Sequence, residues 1–212
     1  GDLKVTNDGS GAWFVDGNGS SSDTLTDFQF KYVDDAGQIL TNFEVSGAIP
    51  SPFHNTTVVS SDGNLIASLY ITNPPNEVRI NDTLIYESDD TDKFFVSIII
   101  KLKKNGEIAW SIPIEAGYTN ALPSLDLDSG DNIWIGGGIS FINEPVDQFL
   151  ELGDYSVPLE TDQGVLLKIN QSGEPLGIWV ADGYFNSVKS DSSDNLWAMG
   201  SFNSDSESMG QS

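Results

Sequence analysis

Short apolar runs alternate along the chain with short polar stretches rich in Gly, Asp, Asn and Ser. The most regular of these, Ser124 to Ser140, reads SLDLDSGDNIWIGGGIS. Leu125 and Leu127 alternate with Asp126 and Asp128, the period of two expected of a strand with one drier face. Ser129, Gly130, Asp131 and Asn132 follow, and Gly, Asp and Asn tolerate the positive φ that a tight hairpin needs. Ile133, Trp134 and Ile135 form a second strand, apolar on both faces, that runs into Gly136, Gly137 and Gly138. The pattern predicts a hairpin buried on two sides.

The hairpin recurs as LKVTNDGSGAWFVDG from Leu3, TVVSSDGNLIASLYI from Thr57 and SVKSDSSDNLWAMGSF from Ser187. Aligned on the turn, Trp13, Ile66, Trp134 and Trp197 are equivalent, at intervals of 53, 68 and 63 residues. A second pattern lies between the copies: FQFKYVDDAGQILTNF from Phe28, IIIKLKKNGEIAW from Ile98 and VLLKINQSGEPLGIW from Val165. Each is an apolar strand ending in Lys31, Lys101 or Lys168, a turn at Gly37, Gly106 or Gly173, and another apolar strand.

Together the two patterns make a repeat of four antiparallel strands. A period of this size with one four-stranded sheet in it predicts an all-β fold, a β-propeller of four-stranded antiparallel blades. The physical reason is burial: a lone blade with two apolar faces cannot cover itself, whereas blades stacked face to face can. The expected blades span about 1–50, 51–117 and 118–183, with a partial fourth at 184–212. Three and a half blades fall short of the roughly 4–8 of a closed ring. The remainder of a larger polypeptide, or another protein chain, is therefore expected to complete the propeller. Trp13, Trp134 and Trp197 hold one repeated position and are expected to pack between blades. No segment has a capped helical period.

The connections are less regular. Asp16 to Asp27 is polar and rich in Gly and Ser, and Ser46 to Asn55 is a Pro-containing crossover that holds His54. Thr72 to Thr91 contains two expected short strands, Glu77 to Ile80 and Thr83 to Tyr86. Phe141 to Thr161 is a long connection and the most individual part of the chain. Ser204 to Ser212 is too short and too polar to add two strands.

Strings of the form D-x-x-G-N-x-W-x-G, followed by F-x-x-K-x-x-x-x-G-x-x-x-W, resemble the bacterial β-propeller repeats known as SBBP repeats. The resemblance runs from Leu3 to Asn203 and rests on structural residues. It implies a blade and a secreted or surface location, and it carries no site residues. The chain departs from the pattern at Ile66, where the other copies have Trp, and in the long connection after Ser140.

Charge narrows the partners. The 32 Asp and Glu outnumber the 9 Lys and Arg, for a formal net charge of −23, and the Asp residues are dispersed over turns. Phosphate contacts need clustered Lys and Arg, so nucleic acid and anionic membranes are not expected partners. Lys101, Lys103 and Lys104 form the one basic cluster, on a strand and turn common to the repeats. The acidic surface suits divalent cations, salty surroundings or colloidal solubility. With no cysteine there is no disulfide or thiol site. This composition fits a bacterial surface protein better than a small eukaryotic secreted domain. The longest apolar run, Phe94 to Ile100, falls well short of the roughly 20 residues of a membrane span.

Asp126, Asp128 and Asp131 are the candidate metal ligands. D-x-D-x-G-D puts three carboxylates around one tight turn, as a calcium loop requires. The spacing departs from an EF-hand, whose twelfth position is Gly137 here instead of Glu. Glu87, Asp89, Asp90 and Asp92 form a second acidic cluster, read as a solvated loop. His54 is the only histidine, so a triad or a histidine zinc site has no partner for it. Carboxylate pairs can support glycoside hydrolysis without histidine, but nothing singles one pair out among 32 acids. Gly136 to Gly138 lack the Lys and helix of a phosphate loop and read as strand-end packing. The sequons at Asn18, Asn55, Asn81 and Asn170 all fall in expected connections or turns.

The leading functional expectation is a non-enzymatic extracellular module for binding or structural assembly at a bacterial cell surface, with a polysaccharide among its expected ligands. The alternatives are a carbohydrate-active enzyme or lyase domain on the same scaffold, and a calcium-stabilised adhesin.

Overall fold

The hairpin turns set the architecture. At Asp128 the backbone closes with Asp128 N–H donating to the Asn132 carbonyl and Asp131 N–H to the Asp128 carbonyl, both 3.0 Å. The Asp128 carboxylate accepts the Gly130 and Asn132 amides at 3.0 and 2.9 Å, so one side chain holds the whole turn. The fourth residue is left-handed, with Asp131 at φ 57. The same frame recurs at Asp34, Asn170 and Asp191, with Gly37, Gly173 and Asp194 in the left-handed position. Asp and Asn suit the first position because their short side chains reach amides two and four residues on.

The computed structural model describes residues 3–17, 28–50, 56–72, 77–87, 95–114, 119–140, 148–159, 163–202 and 210–211. They are all-β, in antiparallel sheets, one of them curled into a half-barrel. β1 (Leu3–Val5), β2 (Gly11–Gly17), β3 (Phe28–Asp34) and β4 (Ile39–Ser46) pair in sequence as a first meander. β5 (Ile49–Pro50) and β6 (Thr57–Val59) both pair with β7 (Leu65–Thr72). β8 (Glu77–Ile80) and β9 (Thr83–Glu87) form a hairpin, and β10 (Phe95–Leu102) and β11 (Ile108–Ile114) complete a second meander, β6-β7-β10-β11. The third consists of β12 (Thr119–Leu127), β13 (Ile133–Ser140), β16 (Gln163–Ile169) and β17 (Pro175–Ser190), with the hairpin β14 (Gln148–Leu152) and β15 (Tyr155–Leu159) inserted after β13. β18 (Leu196–Phe202) pairs with the second half of β17, and β19 (Gly210–Gln211) with the first half.

The apolar strands are buried on both faces because successive meanders cover one another. Along β10, Val96, Ile98, Ile100 and Leu102 enter a core shared with Trp13, Phe30 and Phe43 of the first meander. Ile99, on the opposite face, enters a second core with Leu125, Ile133, Ile135 and Leu167 of the third. A third, smaller core joins Leu166 to Phe185 and Val188. Each such side chain contributes about 1.5–3 kcal/mol on leaving water, so neither face of β10 would be stable bare. The glycine run of β13 serves the last contact: a Cβ at Gly136 would lie 2.4 Å from Val188 Cγ1, and one at Gly138 2.1 Å from the Tyr184 ring.

Several expectations are corrected. Trp197 does not pack between sheets, being 67% exposed where Trp13 is fully buried. Trp134 is only half-buried: it packs on the third core with its ring tilted against Trp179, the centres 5.3 Å apart. The crossover after Ser46 contributes β5 to the second sheet, and the long connection after Ser140 contains the β14–β15 hairpin. The β8–β9 hairpin extends the first sheet through Val45–Ile80 and Ser46–Arg79 pairing, so it leaves its own meander. β17 runs unbroken across the expected boundary near residue 183, and the polar tail supplies β19. His54, the sequons at Asn18 and Asn55, and Asp89, Asp90 and Asp92 lie outside the described residues.

Trp13→Ala should destabilise the protein by about 3–5 kcal/mol in denaturant unfolding, whereas Trp197→Ala should change stability by less than about 0.5 kcal/mol. Equal losses would refute this assignment of cores. Burial, helped by the nearby Tyr184, pushes the Tyr70 hydroxyl up to about 12. The neutral phenol is the form the fold stabilises, so its contribution is complete below the ordinary value near 10 and disappears as pH rises toward 12. Absorbance titration at alkaline pH should contain a late tyrosine step that Tyr70→Phe removes.

Candidate functional site

The inner strands β1, β6 and β12 come together around an open groove of about 550 Å³. Leu3, Lys4, Val5 and Asn7 line one side, Thr57, Val58, Val59 and Ser61 a second, and Asp126, Leu127, Asp128, Ser129 and Asp131 the third. Each of these inner strands opens its meander and leads into a tight turn closed by the same backbone bond, Gly9 N–H to the Thr6 carbonyl, Gly63 N–H to Ser60 and Asp131 N–H to Asp128. All three sequence-predicted carboxylates lie on this groove.

The carboxylates share the groove but face different partners. Asp126 reaches forward to the next repeat: its Oδ1 accepts Lys189 Nζ at 2.7 Å and its Oδ2 the Ser190 amide at 2.6 Å. Asp128 stays within its own repeat, capping its turn and pairing with Lys168 Nζ at 2.9 Å. Asp131 reaches back to the second meander, where the Ser61 amide (3.0 Å to Oδ2) and the Ser61 hydroxyl both donate to it. Among the described residues, no three acidic or histidine side chains form a metal-binding group. A cation held by Asp126, Asp128 and Asp131 together would have to displace Lys189, Lys168 and Ser61.

Sequence reasoning missed the rule behind the Asp131 contact. Ser61 and Ser129 are each the second residue of a turn, and Asp131 and Asp194 are each the fourth residue of the following inner turn. Asp194 repeats the tie, accepting the Ser129 amide and hydroxyl, both at 2.7 Å. Asp therefore replaces Gly at a left-handed position where its side chain gains a neighbour. Comparing the turns residue by residue, SSDGN, DSGDN and DSSDN, contains the signal.

The lysines of the outer hairpins join the same rim. Lys168 Nζ lies over the Trp134 ring, 4.6 Å from its centre, while pairing with Asp128. The buried Lys101 lies 3.7 Å from Asp62, and its Nζ donates to the Gln171 carbonyl at 3.4 Å. Lys104 crosses to the first repeat, 3.6 Å from Asp8. Two lysines of the basic cluster are thus spent on inner-turn carboxylates, while Lys103 pairs with Glu107 of its own hairpin at 2.8 Å. Of the two described sequons, Asn81 sits at positive φ in the β8–β9 turn and binds the β4 backbone through the Glu44 amide and Asn42 carbonyl, and Asn170 caps its own turn.

Burial opposes ionisation of Asp128, but the hydrogen bonds from Lys168 and Asn132 and the Lys168 charge outweigh it and hold the carboxyl below its usual range. A lowered value stabilises the fold at pH above the ordinary carboxylate value, and the contribution is lost as pH falls through the lowered one. Lys168→Met should therefore shift the acid unfolding midpoint to higher pH. An unchanged midpoint would mean that the pair contributes nothing. For the tie between repeats, a double-mutant cycle on Ser61→Ala and Asp131→Gly should give a coupling of about 1 kcal/mol. The melting temperature should be the same in calcium and in chelator, and a calcium-dependent rise abolished by Asp128→Asn would restore the metal reading.

In comparisons with known proteins, no family model and no curated relative matches the chain.

Proposed function

We propose that the chain is a run of β-propeller blades serving as a non-enzymatic binding and assembly module at a bacterial cell surface. The observation that carries this reading is the destination of the three carboxylates: each is engaged by a lysine, a backbone amide or a serine that ties one repeat to itself or to a neighbour. A stretch rich in chemistry is used here to fix the geometry of repeats. What is left for a ligand is the polar groove between β1, β6 and β12, with Asn7 at its lip.

The propeller reading is supported by the repeated four-stranded meander, by the face-to-face cores and by inner strands that converge on one groove. The surface location rests on the resemblance to SBBP repeats and on an acidic, cysteine-free composition. Hydroxyl, amide and carboxylate groups around the groove suit a polyhydroxylated ligand such as a polysaccharide, which exchanges many hydrogen bonds with water for equivalent ones.

Immobilised marine and plant polysaccharides test the reading. Retention of the intact chain without release of shortened or unsaturated sugars is expected, and Asn7→Trp should weaken it about tenfold or more with an unchanged melting temperature. Turnover that a single carboxylate substitution abolishes would establish the enzyme alternative. Absence of retention on every polymer would remove polysaccharide as the ligand.

A further inference from the structure

We infer that the groove between β1, β6 and β12 takes an amine-bearing sugar, whose ammonium group sits against the carboxylate of Asp131. The inference rests on the polysaccharide reading proposed above and names the chemistry of the sugar.

The three carboxylates of the groove differ in how their charge is met. Asp126 and Asp128 are neutralised by Lys189 and Lys168 at 2.7 and 2.9 Å. Asp131 has only the uncharged donors of Ser61: its amide, 3.1 Å from Oδ1 and 3.0 Å from Oδ2, and its hydroxyl on Oδ2. Yet Asp131 is only 8% exposed, on the wall of the groove. A charge held so far out of water is costly without an opposite charge beside it. Asp194 makes the contrast: it has the same tie, to Ser129, but it is exposed, so water meets its charge.

The lysines and arginine of the described residues are committed elsewhere. Beyond Lys168 and Lys189, Lys31, Arg79, Lys101, Lys103 and Lys104 pair with acids outside the groove. Lys4, on the β1 side, has a partner of its own. Among the described residues no cationic side chain pairs with Asp131.

The form of the missing cation follows from the site. A calcium ion wants six or more oxygens, and several of them carboxylates, whereas the lysines occupy the other two acids. A single carboxylate with acceptor capacity left on Oδ1 suits a monocation that donates hydrogen bonds. An ammonium group does so, and the hydroxyl and amide groups along the same groove suit the hydroxyls of a sugar that carries it.

The test titrates the full 212-residue chain calorimetrically with the trimer of glucosamine and with its fully N-acetylated form, at a slightly acidic pH where the free sugar amine is protonated. Saturable binding of the amine trimer to one site is expected, with the acetylated trimer at least about tenfold weaker. Asp131→Asn, which suits the left-handed position and still accepts the Ser61 amide, should weaken the amine trimer about tenfold. Asp34→Asn removes the same charge away from the groove and keeps its cap as Asn170 does, so it should leave the affinity unchanged. If Asp131→Asn does not fold, Asn7→Trp decides, since it obstructs the groove without touching a charge and should also abolish binding. Lack of binding by the amine trimer, or binding that survives both variants, would overturn the inference. So would an equal loss with Asp34→Asn, which would mean attraction to the overall negative charge. Equal affinity for the two trimers would overturn it while leaving the polysaccharide reading in place; that reading falls only if every polymer fails to be retained.

Discussion

A carboxylate or carboxamide folded back onto its own turn is the interaction on which the rest depends. When Asp128 accepts the amides at 130 and 132, the turn closes in one shape and the two flanking strands leave in fixed register. Asp34, Asn170 and Asp191 do the same, and the Ser60 and Lys103 turns of the second meander close through the same backbone bonds, so the strand pairs of different repeats emerge with the same geometry. Faces of the same geometry stack, which is what buries Ile98 on one side of β10 and Ile99 on the other. The turn precedes the core in this logic: a different cap would shift register and turn apolar residues to the wrong face.

Second-order ties use what the caps leave over. The left-handed fourth position is cheapest for glycine, and Gly9 and Gly63 occupy it in the first two inner turns. Asp131 and Asp194 accept the backbone cost and gain hydrogen bonds to the serine of the preceding turn. The acidic composition has a local meaning at these places. Part of the negative charge belongs to the joints between repeats, which Lys104 and Lys189 also cross.

Much of the strand order was legible in the sequence, and the reason is periodicity. Alternation at Leu125 and Leu127, the turn residues after them and the recurrence of Lys31, Lys101 and Lys168 each report local geometry, which a short window contains. The strands expected at 77–80 and 83–86 were legible on the same grounds, the second running one residue further, to Glu87. What was not legible depends on direction in space. Asp126, Asp128 and Asp131 look like one cluster in a linear string, yet strand alternation and a left-handed turn send them to three partners. The exposure of Trp197 was hidden similarly, since its neighbours in sequence match those of Trp13 while its neighbours in space do not. The β14–β15 hairpin escaped notice because its polar flanks, rather than its apolar residues, dominate the composition of that connection.

The unbroken course of β17 has a mechanical consequence. Its first half closes the third meander against β16, and its second half opens the next hairpin with β18. Gly183, at φ 139, lets the strand change direction between the two. One continuous strand therefore belongs to both. A load applied beyond β18 is carried along β17 directly into the third sheet, so these two units bear force, and yield to it, as a single body.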